Sequence, residues 1–212
     1  MPNEMQAQTL SCPNCGYNLS PGIKICPACN SHLLITTISQ LSSFKKTTAA
    51  EAARQITKQC DTIREGDPDY AQAMLARGIA YLQLKNYTLA TKSFERAIDK
   101  LPESAEAHYY YALSLIGGRR PMTLDSSKIE RIEEFLNTAL QLDDSKAHYH
   151  LLSYIIKKDY YEEKGLMVRG LSAGETLGNG NARGRDPEEI KQLLDQLILR
   201  DDKLIAAVRG EE

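Results

Sequence analysis

The residues with the clearest chemical potential are four cysteines in two matched pairs near the N-terminus. Cys12 and Cys15 enclose Pro-Asn, and Cys26 and Cys29 enclose Pro-Ala. Two thiolates that are two residues apart in a tight turn can face one ion, and four sulfurs in a tetrahedron select zinc or iron over hard cations. The spacing therefore predicts one metal site, formed by all four cysteines and holding a structural Zn²⁺.

Other uses of paired cysteines fit the sequence less well. A thioredoxin-like dithiol occurs as a single pair in a βαβ context, whereas this chain has two pairs and no such context. A disulfide framework belongs to an oxidising compartment, and no basic and apolar leader precedes the first pair. We therefore expect a cytoplasmic protein with reduced thiols. The fifth cysteine, Cys60, lies on an apolar helical stripe and is expected to be buried.

The residues around the pairs predict how the sulfurs are positioned. Gly16 and Asn30 follow the second cysteine of each pair, and both residue types tolerate the positive φ that turns backbone N–H groups towards the sulfurs. Pro21-Gly22 predicts the turn of a short β-hairpin between the pairs. About thirty residues bury too little apolar surface to fold alone, so a metal contributing on the order of 10 kcal/mol would hold the unit together.

The stretch from Cys12 to Asn30 resembles the short zinc-ribbon domains at the N-termini of many prokaryotic cytoplasmic proteins. The resemblance implies a metal site but no particular function, because such ribbons contact proteins, nucleic acids or no known partner. The chain has 26 Lys and Arg against 28 Asp and Glu, a net charge of -2, so nucleic acid is not the expected partner. No apolar run approaches the roughly 20 residues of a membrane-spanning helix.

Beyond residue 38 the apolar residues recur at helical spacing. Pro68 and Pro102 lie 34 residues apart. Between them, small and large apolar residues occupy fixed positions: Gly78, Tyr81, Ala90, Phe94 and Ala97. These spacings resemble the tetratricopeptide repeat (TPR), a 34-residue helix–turn–helix unit. The resemblance implies paired helices that approach closely at the small residues and are separated by the large ones.

Two further copies are less regular. Ala107-His108-Tyr109 recurs forty residues later as Ala147-His148-Tyr149, which predicts a longer turn at 117–121, and Lys158 is expected to lead into the second helix of the third copy. The predicted fold is mainly α, a TPR-like helical-hairpin solenoid with a small N-terminal β-hairpin zinc ribbon. Its expected parts are the ribbon over 1–34, a linker over 35–47, the repeats over 48–172, a glycine-rich loop over 173–185 and a capping helix over 186–210.

The resemblance to TPR proteins also implies a binding face. The first helices of such repeats line a concave surface that commonly holds a peptide or a partner's helix. The residues expected there are Leu75, Ile79, Tyr109, Leu113, Tyr149 and Ile156, with Arg119 and Arg120 on the inserted turn as a further partner contact. The alternative is that several of the apolar residues simply pack against neighbouring helices, since periodicity does not separate the two faces.

No Ser/His/Asp, Cys/His or paired-carboxylate set can be assembled from the sequence into an active site. The expected function is a non-enzymatic adaptor or scaffold that binds another protein or a peptide. Self-association is also considered, because about three repeats is the usual minimum for a stable stack. The alternatives are a nucleic-acid-associated regulator that uses the ribbon, and a zinc- or redox-responsive sensor.

Overall fold

The computed structural model describes residues 10–20, 23–44 and 47–211. In these ranges the chain forms two short strands and ten α-helices. The strands are β1 (Leu10–Ser11) and β2 (Asn18–Leu19). The helices are α1 (Ser39–Ser42), α2 (Ala49–Cys60), α3 (Tyr70–Gln83), α4 (Tyr87–Lys100), α5 (Ala105–Ile116), α6 (Ser126–Leu142), α7 (Ala147–Ile156), α8 (Ala173–Ala182), α9 (Pro187–Asp195) and α10 (Asp202–Arg209). Among the described helices, none is long and apolar enough to cross a bilayer.

Residues 10–34 form a small N-terminal unit, here called the cysteine unit. Strands β1 and β2 pair antiparallel around the first cysteine pair, and Ile25 bridges to His32 around the second. The expected turn residues Pro21 and Gly22 lie outside the described residues. Within the described part of the unit, strand pairing occurs inside each half and not between the halves, which differs from the predicted hairpin.

The segment 35–47, expected to be a linker, packs against the helical body over its described part. Its apolar residues recur every three positions and are all buried in the main core: Ile35, Ile38, Leu41 and Phe44. The backbone N–H of Ile38 donates to the hydroxyl of Tyr110 at 3.0 Å, which ties the segment to α5. The segment expected to be a linker therefore contributes an apolar stripe to the main core.

The body of the protein is built from consecutive helices that pack in pairs, α3 with α4, α5 with α6 and α7 with α8. Helix α2 packs on the first pair, and Cys60 at its end is fully buried, as expected. Helices α3 and α4 come closest at Gly78, where an added Cβ would lie 2.4 Å from Cε1 of Phe94. The predicted contact between a small and a large residue is therefore present in the first pair.

The spacing between the second and third pairs differs from the prediction. The first residues of α5 and α7, Ala105 and Ala147, are 42 positions apart. His108 Nε2 lies 2.8 Å from a carbonyl oxygen six residues earlier, and His150 Nε2 makes the same contact at 2.9 Å. His150, not His148, therefore matches His108. The forty-residue match of Ala-His-Tyr was wrong because short motifs recur by chance, whereas helix starts are fixed by packing.

The third pair was also divided differently in the prediction. Helix α7 continues directly into a π-helical segment, Lys157–Glu162, so no second helix begins at Lys158. The second helix is α8, which lies where a glycine-rich loop over 173–185 was expected. Ser172 and Glu175 form a reciprocal capping box at its start, and Gly180 packs against Leu151. Glycine disfavours helix by up to about 1 kcal/mol per residue, and here the cap and the close packing outweigh that preference.

The C-terminal helix expected over 186–210 is divided into α9 and α10. Asp186 caps α9 by accepting from Glu188 N at 2.9 Å, as the sequence predicts. A second cap interrupts the expected helix, since Asp201 accepts from Lys203 N at 2.9 Å. Gly210 ends α10 with a φ of 79°. The chain can therefore change direction between α9 and α10.

Candidate metal centre and tyrosine face

The sulfurs of Cys12, Cys15, Cys26 and Cys29 all lie within 4.8 Å of one another. The closest contacts join one cysteine from each pair, at 3.7 Å between Cys12 and Cys29 and at 3.6 Å between Cys15 and Cys26. Both pairs therefore face the same point. These distances are far longer than the roughly 2.05 Å of a disulfide bond, and none of the five cysteines, all within the described residues, is disulfide-linked.

Two nearly identical backbone turns create this arrangement. In the first, Gly16 N donates to Cys12 O at 2.8 Å, and in the second, Asn30 N donates to Cys26 O at 2.9 Å. Gly16 has a φ of 78° and Asn30 a φ of 55°, as their residue types predict. The positive φ closes each turn, and each turn brings its two cysteines to the same side of the backbone.

Polar neighbours surround one edge of the sulfur cluster. Asn14 Nδ2 donates to Cys29 Sγ at 3.7 Å and to Ser31 Oγ at 2.7 Å. Hydrogen bonding by the side chain and backbone of Ser31 lowers the pKa of Cys29 to about 6, whereas burial raises the pKa of Cys12 to about 12. The cluster therefore has one thiol disposed to ionise and one that needs a compensating positive charge to do so.

The donor set fits a tetrahedral thiophilic metal ion. Four sulfurs about 2.3 Å from a central zinc lie about 3.8 Å from one another, close to the two shortest separations found here. Cys12 and Cys26 are buried, and Cys15 and Cys29 are partly exposed. The four residues predicted as ligands can thus hold one metal ion, which their geometry alone does not identify.

The cysteine unit is attached to the helical body by polar contacts with α2 and its flanks. Gln59 Nε2 donates to the carbonyls of Ser20 at 3.3 Å and Ile23 at 2.9 Å. Thr47 Oγ1 donates to Pro13 O at 3.0 Å. Because Gln59 is itself 2% exposed, its contacts form part of a covered interface. The unit therefore has a fixed position on the first helices.

The apolar residues predicted to bind a partner are not on the surface of the folded chain. All six are at most 4% exposed: Leu75, Ile79, Tyr109, Leu113, Tyr149 and Ile156. They belong to the same core as the residues between the paired helices. In the folded chain these residues pack against other helices, which was the alternative reading of their periodicity, and their role in binding a partner stays a prediction.

The two arginines of the inserted turn have different roles. Arg119 is exposed, as a partner contact requires. Arg120 instead donates through Nε to Asp159 Oδ1 at 2.6 Å, and Asp159 also accepts from Met122 N at 3.0 Å. The Asp159 side chain is 1% exposed and lies in the π-helical segment. The guanidinium of Arg120 therefore links the inserted turn to the π-helical segment after α7, and its role as a partner contact stays a prediction.

Helices α5 and α7 share a covered surface that carries Tyr109, Tyr110 and Tyr149, here called the tyrosine face. The rings of Tyr109 and Tyr149 stack with centroids 4.5 Å apart. Burial, and after it the carboxylate of Glu189 on α9, raises the pKa of Tyr109 and Tyr110 well above the usual value. Burial likewise raises the pKa of Glu189. The tyrosine face therefore adjoins α1 through the hydrogen bond from Ile38 N to the Tyr110 hydroxyl, and α9 packs against α7.

The role of α9 was not found from the sequence. The helical spacing of its apolar residues predicts one apolar side, which includes Ile190 and Leu193. The side that the apolar residues would cover could not be read from periodicity.

Comparison with known proteins finds no family model that matches the chain and no curated protein that matches it.

Proposed function

We propose that this protein is a non-enzymatic adaptor whose paired helices are TPR-like repeats and bind another protein through a helical segment. The stacking of α3 to α8 in pairs supports the repeat assignment, as does the contact of Gly78 with Phe94. Stacked helical pairs bury a continuous core and present one long surface, which suits them to holding an extended partner.

The observation that carries the proposal is the occupied tyrosine face. A helix of this chain, α9, packs against α7, the helix that carries Tyr149, with Ile190 and Leu193 buried. A surface that accommodates an amphipathic helix in cis has the shape and chemistry to accommodate one in trans. Tyrosine, which combines an apolar ring with a polar hydroxyl group, is enriched at protein interfaces.

We propose further that the cysteine unit is a zinc ribbon and that its metal is a structural Zn²⁺. Four cysteine sulfurs in a tetrahedral arrangement favour zinc over hard cations. All four ligand positions come from the protein, which is typical of structural sites and leaves no open position for a reacting water. The role of the metal is then to hold the cysteine unit on α2.

The proposal is tested with the full-length chain. Tagged protein is crosslinked in cells of its source, purified, and the crosslinked residues are mapped by mass spectrometry. Crosslinks to one partner that fall on α5, α7 or α9 are the expected result. Crosslinks confined to residues 10–34 would contradict the assignment of binding to the repeats. A mobility shift of DNA or RNA that is lost with Cys12→Ser would favour the nucleic-acid alternative.

A further inference from the structure

Helix α9 is held at its N-terminal end by contacts with α1. Ser39 Oγ donates a hydrogen bond to Glu189 Oε1, and Gln192 Nε2 donates to Ser42 Oγ at 3.3 Å. Between these polar contacts, Ile190 is 4% exposed and Leu193 is 1% exposed. One side of the helix is therefore anchored by a carboxylate, an amide and two aliphatic side chains.

The other end of α9 reaches the end of α3. Lys85 Nζ donates to the carbonyl of Asp195, and the side-chain amide of Gln196 donates to Leu82 O at 3.2 Å. Helix α9 thus extends from α1, along α7, to the residues that follow α3. It lies where a bound peptide would lie in the proposed function.

Several features of α9 suit it to detaching while the helices beneath it stay folded. It has nine residues, and an isolated helix needs roughly 12–15 to be even marginally stable in water, so α9 depends on its contacts with the rest of the chain. Its outer side, with Lys191 and Asp195, is exposed, as are Gly184 before it and Ile198 after it. Few apolar side chains and exposed flanks are characteristic of segments that open without global unfolding.

The surface left behind would remain well suited to a helix. The hydroxyl of Tyr110 is already bonded to the backbone of Ile38, and the stacked rings of Tyr109 and Tyr149 are fixed by packing on each other. Ser39 and Ser42 would each offer a hydroxyl to an incoming polar group. The site is therefore largely formed before a second helix arrives.

We propose that α9 is an exchangeable occupant of the tyrosine face and that the partner is an amphipathic helix of the same chemistry. Such a helix displaces α9 by presenting a carboxylate followed by aliphatic residues one and four positions later, the arrangement of Glu189, Ile190 and Leu193. While α9 occupies the tyrosine face, a partner helix does not bind there. The apparent affinity for a partner is therefore lowered in proportion to the fraction of molecules in which α9 has detached. This inference rests on the proposed function and specifies its ligand.

The test uses the full-length chain and a labelled peptide with the sequence of residues 186–197. Fluorescence anisotropy measures binding to the wild type and to a variant with Ile190→Ala and Leu193→Ala, whose own α9 is weakened while the tyrosine face is unchanged. We expect the variant to bind the peptide at least about tenfold more tightly, because its site is open more often. Lys191→Ala, on the exposed side of α9, should bind like the wild type.

A folded variant that binds the peptide no more tightly than the wild type would overturn the inference. If the double variant fails to fold, Glu189→Ala, which removes only the carboxylate, takes its place with the same expectation. Hydrogen exchange on the wild type gives an independent result: the amides of α9 should exchange faster than those of α5. Equal exchange rates in the two helices would also overturn it.

These outcomes are separate from those of the crosslinking experiment. The peptide is a segment of the chain itself, so its binding does not depend on finding a cellular partner. Crosslinks on α5 and α7 without peptide binding would support the adaptor and contradict the exchange of α9.

Discussion

Replacing helical glycines with alanine tests both the helix pairing and the existence of α8. An alanine Cβ at position 78 would lie 2.4 to 2.8 Å from three ring atoms of Phe94, which is fully buried. Carbon atoms in contact are normally about 3.5–4.0 Å apart, so the ring or the helices must shift. Overpacking of this kind costs about 1–3 kcal/mol. In contrast, Gly178 in α8 has no atom within 4 Å of an added Cβ outside its own helix and chain neighbours.

The two substitutions should therefore change stability in opposite directions. Alanine gains about 0.5–1 kcal/mol over glycine inside a helix, so Gly178→Ala should stabilise the protein by that amount. Gly78→Ala has the same gain but a larger steric cost, and we expect a net loss of about 1 kcal/mol, or roughly 2–4 °C in the melting temperature. In Gly180→Ala the new Cβ meets the flexible end of Leu151 at 3.1 Å, so this variant should be close to neutral.

Thermal and urea unfolding followed by far-ultraviolet circular dichroism measure these differences. A Gly78→Ala protein that melts at or above the wild-type temperature would refute the close approach of α3 and α4. A Gly178→Ala protein that gains no stability would refute the helix over 173–182 and restore the loop expected from the sequence.

Three further predictions concern the metal centre, the inserted turn and a buried histidine. Cys12→Ser should lose tightly bound Zn²⁺ in elemental analysis while keeping most of its helix signal, because the core of the helices is separate from that of the cysteine unit; Cys60→Ala should keep the metal. Arg120→Ala should lower the free energy of unfolding in urea by about 3 kcal/mol, because it leaves the Asp159 carboxylate buried without its partner. The control Arg119→Ala should change this free energy by less than about 0.5 kcal/mol. Equal effects of the two substitutions would contradict the structure. Burial lowers the pKa of His148 to about 4, whereas a histidine in the unfolded chain has a pKa near 6.5. Between these two pH values the unfolded chain binds more protons than the folded chain. The free energy of unfolding therefore falls as the pH drops through this window, by up to about 3 kcal/mol in total. His148→Gln should remove this part of the acid sensitivity in urea titrations at several pH values, whereas His32→Gln, which alters an exposed side chain, should not.

The parts of the structure that follow from the sequence are those governed by local chemistry. The convergence of the four cysteines depends on turns of four or five residues, and the requirement for Gly16 and Asn30 follows from φ alone. The start of α9 at Asp186 and Pro187 depends on capping and on proline geometry. These features are determined by residues that are close together in the sequence, so they can be predicted from the sequence alone.

The parts that could not be predicted depend on contacts between distant segments. The burial of α7, which carries Tyr149, depends in part on α9, which lies far from it in the sequence. The glycines of α8 argue against a helix until its packing on α7 is known. Likewise, Arg120 resembles a free surface charge until Asp159, 39 residues away, is brought beside it. Periodicity identifies an apolar side but not its partner.

The attachment of the cysteine unit to α2 makes the stability of the helices a function of metal availability. Gln59 and Thr47 hold the unit on the helical body, so folding of the unit and ordering of the first helices are thermodynamically linked. A metal that binds only the folded unit adds about 1.4 kcal/mol of stability for each tenfold rise in its free concentration above the dissociation constant. This linkage is reciprocal. A change that stabilises α2 against unfolding would also raise the affinity of the cysteine unit for a metal ion.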